Sequence, residues 1–420
     1  MSLEVKRREF LAYAAALAAG GIVGCKSKAA PPKPAFQGVE PRAPGGPRYV
    51  VQLLLSGGHD PVYTVDPKTR AQVEPDIDLP RTNTITEAAG LRFGEHFAPL
   101  QKHASSIAVL NGVQVGTANH DTGVKQFVRL KTRATDVMPG ALDIIGTARD
   151  TQAVGTMHLG AFMRTSHSPK FFGTSDSFYF GEDNIFDMAT AQKEAAPEIA
   201  ELLRSQADQV RRASPTTQDN LIQVANLLER LPAAPTFRPS RVHEDYIAQS
   251  ISDSLDRASW LIANDLTRCV FVDLGLLGWD THIQNFERQL LMNSAFVEAF
   301  SRFLTTLRTT KRGGSSLLEQ TLVVAGSDLG RFPKINAMNG KDHLPQTSYF
   351  FAGYGIAGGK ACGQTDRSMK GQKMSFKTGT TDAAGSIPIV DDIGTTLMRL
   401  CKMDPSLYGY AGRTLECLFA

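Results

Sequence analysis

Cysteine is scarce in this 420-residue chain, five in all, and no two stand in Cys-x-x-Cys spacing. That argues against a zinc ribbon or a thioredoxin-type redox pair. A one-sided charge is also missing. With 45 Lys+Arg against 42 Asp+Glu the formal net charge is only +3, and no basic face is clustered, so a nucleic-acid partner is not expected. The chain shows no strong internal repeat and no second linker, which favours one large domain over several.

The N-terminus is the first informative stretch. Lys6, Arg7 and Arg8 precede an apolar, Ala-rich segment from Phe10 to Gly24. That segment is shorter than the ~20 apolar residues a bilayer span requires. A charged start, a short apolar middle and a small-residue end make a secretory signal. Arg7-Arg8-Glu9-Phe10-Leu11 resembles a twin-arginine leader, and Ile22-Val23-Gly24-Cys25 resembles a lipobox. The expectation is a bacterial, extracytoplasmic protein, periplasmic or on the cell surface, tethered to the membrane by lipid on Cys25. A plain signal cut elsewhere is the alternative. Residues 26–47, rich in Pro, Gly and Ala, read as a linker, and a single domain is expected over 48–420.

Continuous apolar runs at 48–55, 106–115, 268–277, 320–327 and 348–355 suit strands buried on both faces. Helical stretches lie between them, including a helical insertion at about 190–265. Phe296, Phe300, Phe303, Leu304 and Leu307 share one helical face, and Asp391 or Asp392 is offered as a helix start. Buried strands alternating with helices predict an α/β fold, a mainly parallel sheet covered on both faces. Of the four remaining cysteines, Cys269 reads as a buried thiol inside a strand.

In open α/β sheets ligands bind beyond the carboxyl ends of the strands. The residues just past each apolar run are therefore the candidates for a site. Ser56–Pro61 brings His59 and Asp60; Gly116–Gly123 brings Asn119, His120, Asp121 and Thr122. Gly278–His282 brings Asp280 and His282, Gly326–Arg331 brings Asp328 and Arg331, and Gly340–Pro345 brings Lys341, Asp342 and His343. Any one Asp beyond a strand is more often a turn or cap residue. Convergence is what carries weight, since four of only nine His fall in these clusters. The other five, His167 and His243 among them, read as surface or structural.

Mixed carboxylate and imidazole donors suit zinc best, with manganese or iron as alternatives, in preference to calcium. One or two such divalent ions are expected, held by a set drawn from Asp60, His120, Asp280, His282, Asp328, Asp342 and His343. Two ions would clamp a phosphoryl or sulfuryl group. Thr122 is the first candidate nucleophile, Thr117 the second, and a metal-bound water the third. Arg331 and Lys341 are candidates for neutralising an anionic substrate.

The ordered motifs "LSGGHD", "NHDTG", "GWDTH", "GSDLGR", "GKDHLP", "GYGIAGGKACGQTD" and "PIVDDIGTTLMRLCKMDP" resemble domain-of-unknown-function family 1501, a bacterial branch of the alkaline phosphatase and sulfatase superfamily. The resemblance implies an alkaline-phosphatase-like α/β/α sandwich. It implies Asp60 at the first-strand metal position, Thr122 near the superfamily nucleophile and Asp280 with His282 as one ligand pair. It also implies Asp328 at the Asp of a Ser-Asp-His-Gly motif, and His343 as the last His ligand. The sequence departs from the superfamily pattern in three ways. Asp280 and His282 are two apart rather than four, Leu329 stands where a ligand His is usual, and the Cys-x-Pro-x-Arg pattern of sulfatases is missing. One ion or an altered pair is therefore expected, and phosphatase or phosphodiesterase chemistry is favoured over sulfatase. The implied activity is hydrolysis of a phosphate or sulfate ester from an anionic small-molecule or envelope substrate. The rival readings are a non-catalytic envelope binding protein of the same fold and a head-group transferase.

Overall fold

The computed structural model describes residues 42–135, 138–160, 177–179, 196–210, 215–235, 237–275 and 277–420. The proposed leader, Cys25 and most of the linker lie outside them. Among the described residues no helix is long and apolar enough to cross a membrane.

The sheet has eight strands: β1 (Tyr49–Leu55), β2 (Ile107–Gln114), β3 (Val154–Leu159), β4 (Ser177–Tyr179), β5 (Thr267–Leu274), β6 (Thr321–Gly326), β7 (Gln346–Gly353) and β8 (Lys360–Cys362). Their order is β8-β2-β7-β6-β1-β5-β3-β4. Every strand except β7 runs in one direction. β1 sits centrally, with Tyr49 opposite Thr321 of β6 and Val50 opposite Cys269 of β5.

The expected runs are all strands, and β1 shows why their apolar residues are continuous. Tyr49, Val51, Leu53 and Leu55 enter one core, while Val50 and Leu54 enter the other. Period-2 alternation thus feeds both faces. Gln52 is buried at a polar position and donates to the Phe127 carbonyl at 2.6 Å. β3, β4 and β8 were not expected from the sequence. β3 reads Val-Gly-Thr-Met-His-Leu, and its polar side chains are buried because each is paired. Thr156 donates to Leu142 O at 2.9 Å, and His158 lies 3.2 Å from Asp143.

One face is covered by α3 (Ala196–Val210), α4 (Pro215–Arg230), α5 (Tyr246–Ala263) and α6 (Asn285–Thr309). The other is covered by α1 (His120–Arg129), α2 (Ala141–Thr147) and α7 (Val390–Leu400). The result is an α/β/α sandwich. Phe296, Phe300, Phe303, Leu304 and Leu307 of α6 are all buried against the sheet. Each contributes on the order of 1.5–3 kcal/mol by leaving water. At α7 the cap is Ile389, not an aspartate. Asp392 lies inside the first turn and accepts from the Ile389 N–H at 2.9 Å, a carboxylate reaching back over the helix start.

Candidate metal centre

The site forms where the loops after β1, β5 and β6 meet the start of α1. In the loop after β5, burial alternates from Trp279 to His282. Trp279 and Thr281 are fully buried, while Asp280 and His282 face the cleft, 28% and 42% exposed. This alternation is why a two-residue spacing brings a carboxylate and an imidazole to one point.

α6 holds that loop from behind with a stripe of buried amides at helical spacing. Asn293 accepts from the Trp279 indole at 2.8 Å, and Gln289 donates to Trp279 O and Gly58 O, each at 3.1 Å. Asn285, one turn earlier, donates to Asp60 at 3.1 Å. Asn285, Gln289 and Asn293 lie outside the strand-end loops that supply the sequence candidates. Their i, i+4, i+8 spacing, continuous with the face carrying Phe296 and Phe300, was the available signal. Gly57, at φ +107°, passes against this loop: a Cβ there would lie 2.4 Å from Asp280 N.

Asp280 Oδ1 is the focus. It lies 3.4 Å from His120 Nε2, 3.2 Å from His282 Nε2 and 3.4 Å from His343 Nε2. Each ring's other nitrogen is held by an acceptor. His120 Nδ1 lies 2.6 Å from Asp328 Oδ2, His343 Nδ1 is 2.6 Å from Ala118 O, and His282 Nδ1 is 3.3 Å from Asp342 Oδ1. A carbonyl can only accept, so His343 carries its proton on Nδ1 and leaves Nε2 as a lone pair. Gly123 lets α1 approach Asp328 closely, because a Cβ there would stand 2.5 Å from Asp328 O.

Three observations say that these residues fit a divalent ion. Tetrahedral ligands at ~2.0–2.1 Å from zinc stand roughly 3.3 Å from one another. The three Asp280–imidazole separations, 3.4, 3.2 and 3.4 Å, match that spacing. His282 Nε2 and His343 Nε2 also face each other at 2.8 Å, an arrangement that needs a shared proton or cation between the two rings. Finally, His120 Nε2 is buried without an assigned hydrogen-bond partner among the described residues, 3.4 Å from Asp280 Oδ1. His120, Asp280 and His343 offer ligand atoms all within 4.8 Å of one another, and His282 adjoins two of them.

The electrostatics favour positive charge here. Burial alone would lower the pKa of His120, but the flanking Asp280 and Asp328 outweigh it and raise it to about 9. Burial alone would raise Asp280, yet the adjoining His120 and the Arg331 charge hold it well below the usual carboxylate range. Burial lowers the pKa of His343.

The other candidates take different places. Asp328 and Asp342 stand behind histidines and orient them. Asp60 is outside the group: its carboxylate is fully buried, 2.6 Å from Lys341 Nζ. Lys341 is likewise fully buried and lies 3.0 Å from Asp78 and 4.4 Å above the Tyr63 ring. Arg331 is buried too, and its guanidinium is taken up by the protein. It donates to Asp280 at 2.9 Å, Lys341 O at 3.0 Å and Gly58 O at 3.2 Å, and also to Gly57 O. Neither cation is free for a substrate. Thr122 is exposed, two residues beyond His120 on α1, and residues i and i+2 on a helix do not share a face. Its N–H bonds the Asn119 side chain, which caps the helix. Thr117 Oγ1 accepts from Asn119 N at 3.1 Å. His59 is fully buried beside Thr347, and Leu329 fills the core beneath α1 and α7. His96, His103 and His158 are buried, while His167 lies outside the described residues.

A family described as "Protein of unknown function (DUF1501)" matches residues 181–417. The chain belongs to DUF1501. The DUF1501 match includes Asp280, His282 and His343, whereas His120 and Asp60 precede it. No curated protein matches the chain. Among solved structures it is similar to the lipoteichoic acid synthase of Listeria monocytogenes, at 9% identity and TM-score 0.43 over 93% of this chain and 79% of that one. A protein in the alkaline phosphatase superfamily from Vibrio parahaemolyticus is similar at 10% identity and TM-score 0.43, over 97% and 78% of the two chains. A sulfatase from a Pseudoalteromonas species is similar at 12% and 0.40, over 90% and 72%.

Proposed function

We propose that this chain is a divalent-metal-dependent hydrolase of phosphate esters, with phosphomonoesters or phosphodiesters favoured over sulfate esters. The observation that carries the metal part is the meeting of three imidazole Nε2 atoms on Asp280 Oδ1, each ring held through Nδ1. Three nitrogens and one oxygen suit zinc. The ester class rests on the ordered motifs that resemble the phosphatase superfamily.

His120, His282, His343 and Asp280 would hold the ion. Asp328, Ala118 O and Asp342 keep protons on the outer nitrogens, so the inner lone pairs point inward. A divalent ion held there supplies Lewis acidity toward an ester oxygen. Arg331 fixes the orientation and negative charge of Asp280 without leaving the protein's own hydrogen bonds. The cleft is open, since His282 and Asp280 remain partly exposed. With Thr122 turned away by its helix, water is the acceptor this site favours.

The test is a panel of aryl phosphates, phosphodiesters and aryl sulfates with zinc, manganese or iron added. Turnover abolished by Asp280→Ala with the fold intact is expected. A metal-loaded protein that turns over none of them would support the rival reading, a non-catalytic envelope binding protein. The saturation of Arg331 and Lys341 by protein partners is the observation that favours this rival. The reading further places the protein outside the cytoplasm on a lipid at Cys25, which Cys25→Ser would release from the membrane fraction.

A further inference from the structure

The Asp60–Lys341 pair is the most deeply buried ion pair beside the metal centre, and none of the chemistry above uses it. Both side chains are 0% exposed, and Nζ stands 2.6 Å from Asp60 Oδ2. Asp78 Oδ2 lies 3.0 Å from the same ammonium, the Tyr63 ring 4.4 Å from it, and the Tyr63 hydroxyl hydrogen-bonds Asp78. Asp60 is itself fixed by the Val62 N–H and the Asn285 amide, each at 3.1 Å. Such a pair is poor evidence of a stability device, because withdrawing two charges from water costs about as much as their attraction returns. Its value lies in geometry.

Lys341 directly precedes Asp342 and His343 in sequence. Its N–H donates to the Thr281 carbonyl at 3.0 Å, and Thr281 lies between Asp280 and His282. Its carbonyl accepts from Arg331 at 3.0 Å, the same arginine that holds Asp280. Gly340, just before it, packs so closely that a Cβ would stand 1.8 Å from His282 O. One residue thus joins the loop after β1 through its ammonium, and the loops after β5 and β6 through its main chain.

We propose that Lys341 is a positioning residue, an internal cation that pins the two ligand-bearing loops, after β5 and β6, to Asp60 of the loop after β1 and so sets the spacing of Asp280, His282 and His343. The inference rests on the metal-centre part of the proposed function. The ammonium does not reach a substrate; it holds the loops in register, and breaking it loosens the donor set while leaving the sheet intact.

The experiment compares full-length wild type, Lys341→Met, Asp60→Asn/Lys341→Met and Asp280→Ala. Zinc affinity is measured by competition with a chromophoric chelator. Hydrogen exchange of segments 279–284 and 340–344 is measured in EDTA. Lys341→Met is expected to bind zinc roughly 10–100-fold more weakly. Both loop segments should exchange at least tenfold faster, with exchange in β1 and β6 unchanged. The double variant, which leaves no lone charge on Asp60, should melt closer to wild type yet keep the weak affinity and fast loops. If Lys341→Met does not fold, the double variant carries the comparison. Zinc affinity within twofold of wild type together with unaltered loop exchange would overturn the proposal. Should wild type bind no zinc, the metal reading fails, and the exchange arm alone decides for or against the pin.

Discussion

Asp328 receives the outer nitrogen of His120 at 2.6 Å, which aims the inner nitrogen at Asp280, 3.4 Å away. Asp328 also accepts from Gly57 N at 2.9 Å, so one carboxylate ties the His120 ring to the loop after β1. Asp328→Asn keeps the size and one acceptor but removes the charge behind the ring. Zinc affinity should fall about 10–100-fold, with an unchanged circular dichroism spectrum. Chelator competition measures it.

Metal binding should appear as stability. An ion that binds only the folded chain adds about 2.7 kcal/mol at 100 times its dissociation constant. Denaturant unfolding with and without zinc should show that increment in wild type. His343→Ala and Asp280→Ala should lose most of it, because each removes a donor from the meeting point.

Turnover should separate the two residue classes. Thr122→Ala should leave the rate within about twofold, since its hydroxyl sits on a different face of α1 from His120. Asp280→Ala should abolish turnover on any phosphate ester the wild type accepts. Initial rates on the same substrate panel decide this.

Acid sensitivity has a separate origin in buried neutral imidazoles. Burial lowers the pKa values of His59, His96 and His103 from the ordinary 6.5 to about 4. The stability that each neutral ring contributes is full above the unfolded pKa of 6.5 and is lost as pH falls through about 4. Three such groups give a slope approaching ~4 kcal/mol per pH unit inside that window. His103 lies away from the centre, 2.9 Å from Ser301 Oγ, and His103→Gln can keep that contact. Urea unfolding between pH 7 and 4.5, with EDTA present, should show proton uptake lower in the variant, by nearly one proton around pH 5 and by much less at pH 7.

The sheet was readable in the sequence wherever both faces of a strand are greasy. β1, β2, β5, β6 and β7 each present an apolar run because helices cover both sides. β3 escaped notice because Thr156 and His158 are polar, and only partners distant in sequence, Leu142 and Asp143, make their burial tolerable. The chemistry-bearing loops were equally legible, since strand ends collect them at one edge. The division of labour inside the cluster was not. Whether a carboxylate binds an ion, as Asp280 is placed to do, or stands behind a ring, as Asp328 does, depends on separations near 3 Å that no spacing encodes. Asp60 and Lys341 looked like a ligand and a substrate contact, and only their tertiary meeting pairs them with each other.

His120, Asp280, His282 and His343 are placed to hold one divalent ion between them. The most direct test is metal analysis of the purified full chain after equilibration with zinc and removal of the excess. Close to one zinc per chain is expected in wild type and almost none in Asp280→Ala or His343→Ala. A wild type that retains no zinc, manganese or iron, with a melting temperature indifferent to these ions and to EDTA, would contradict it.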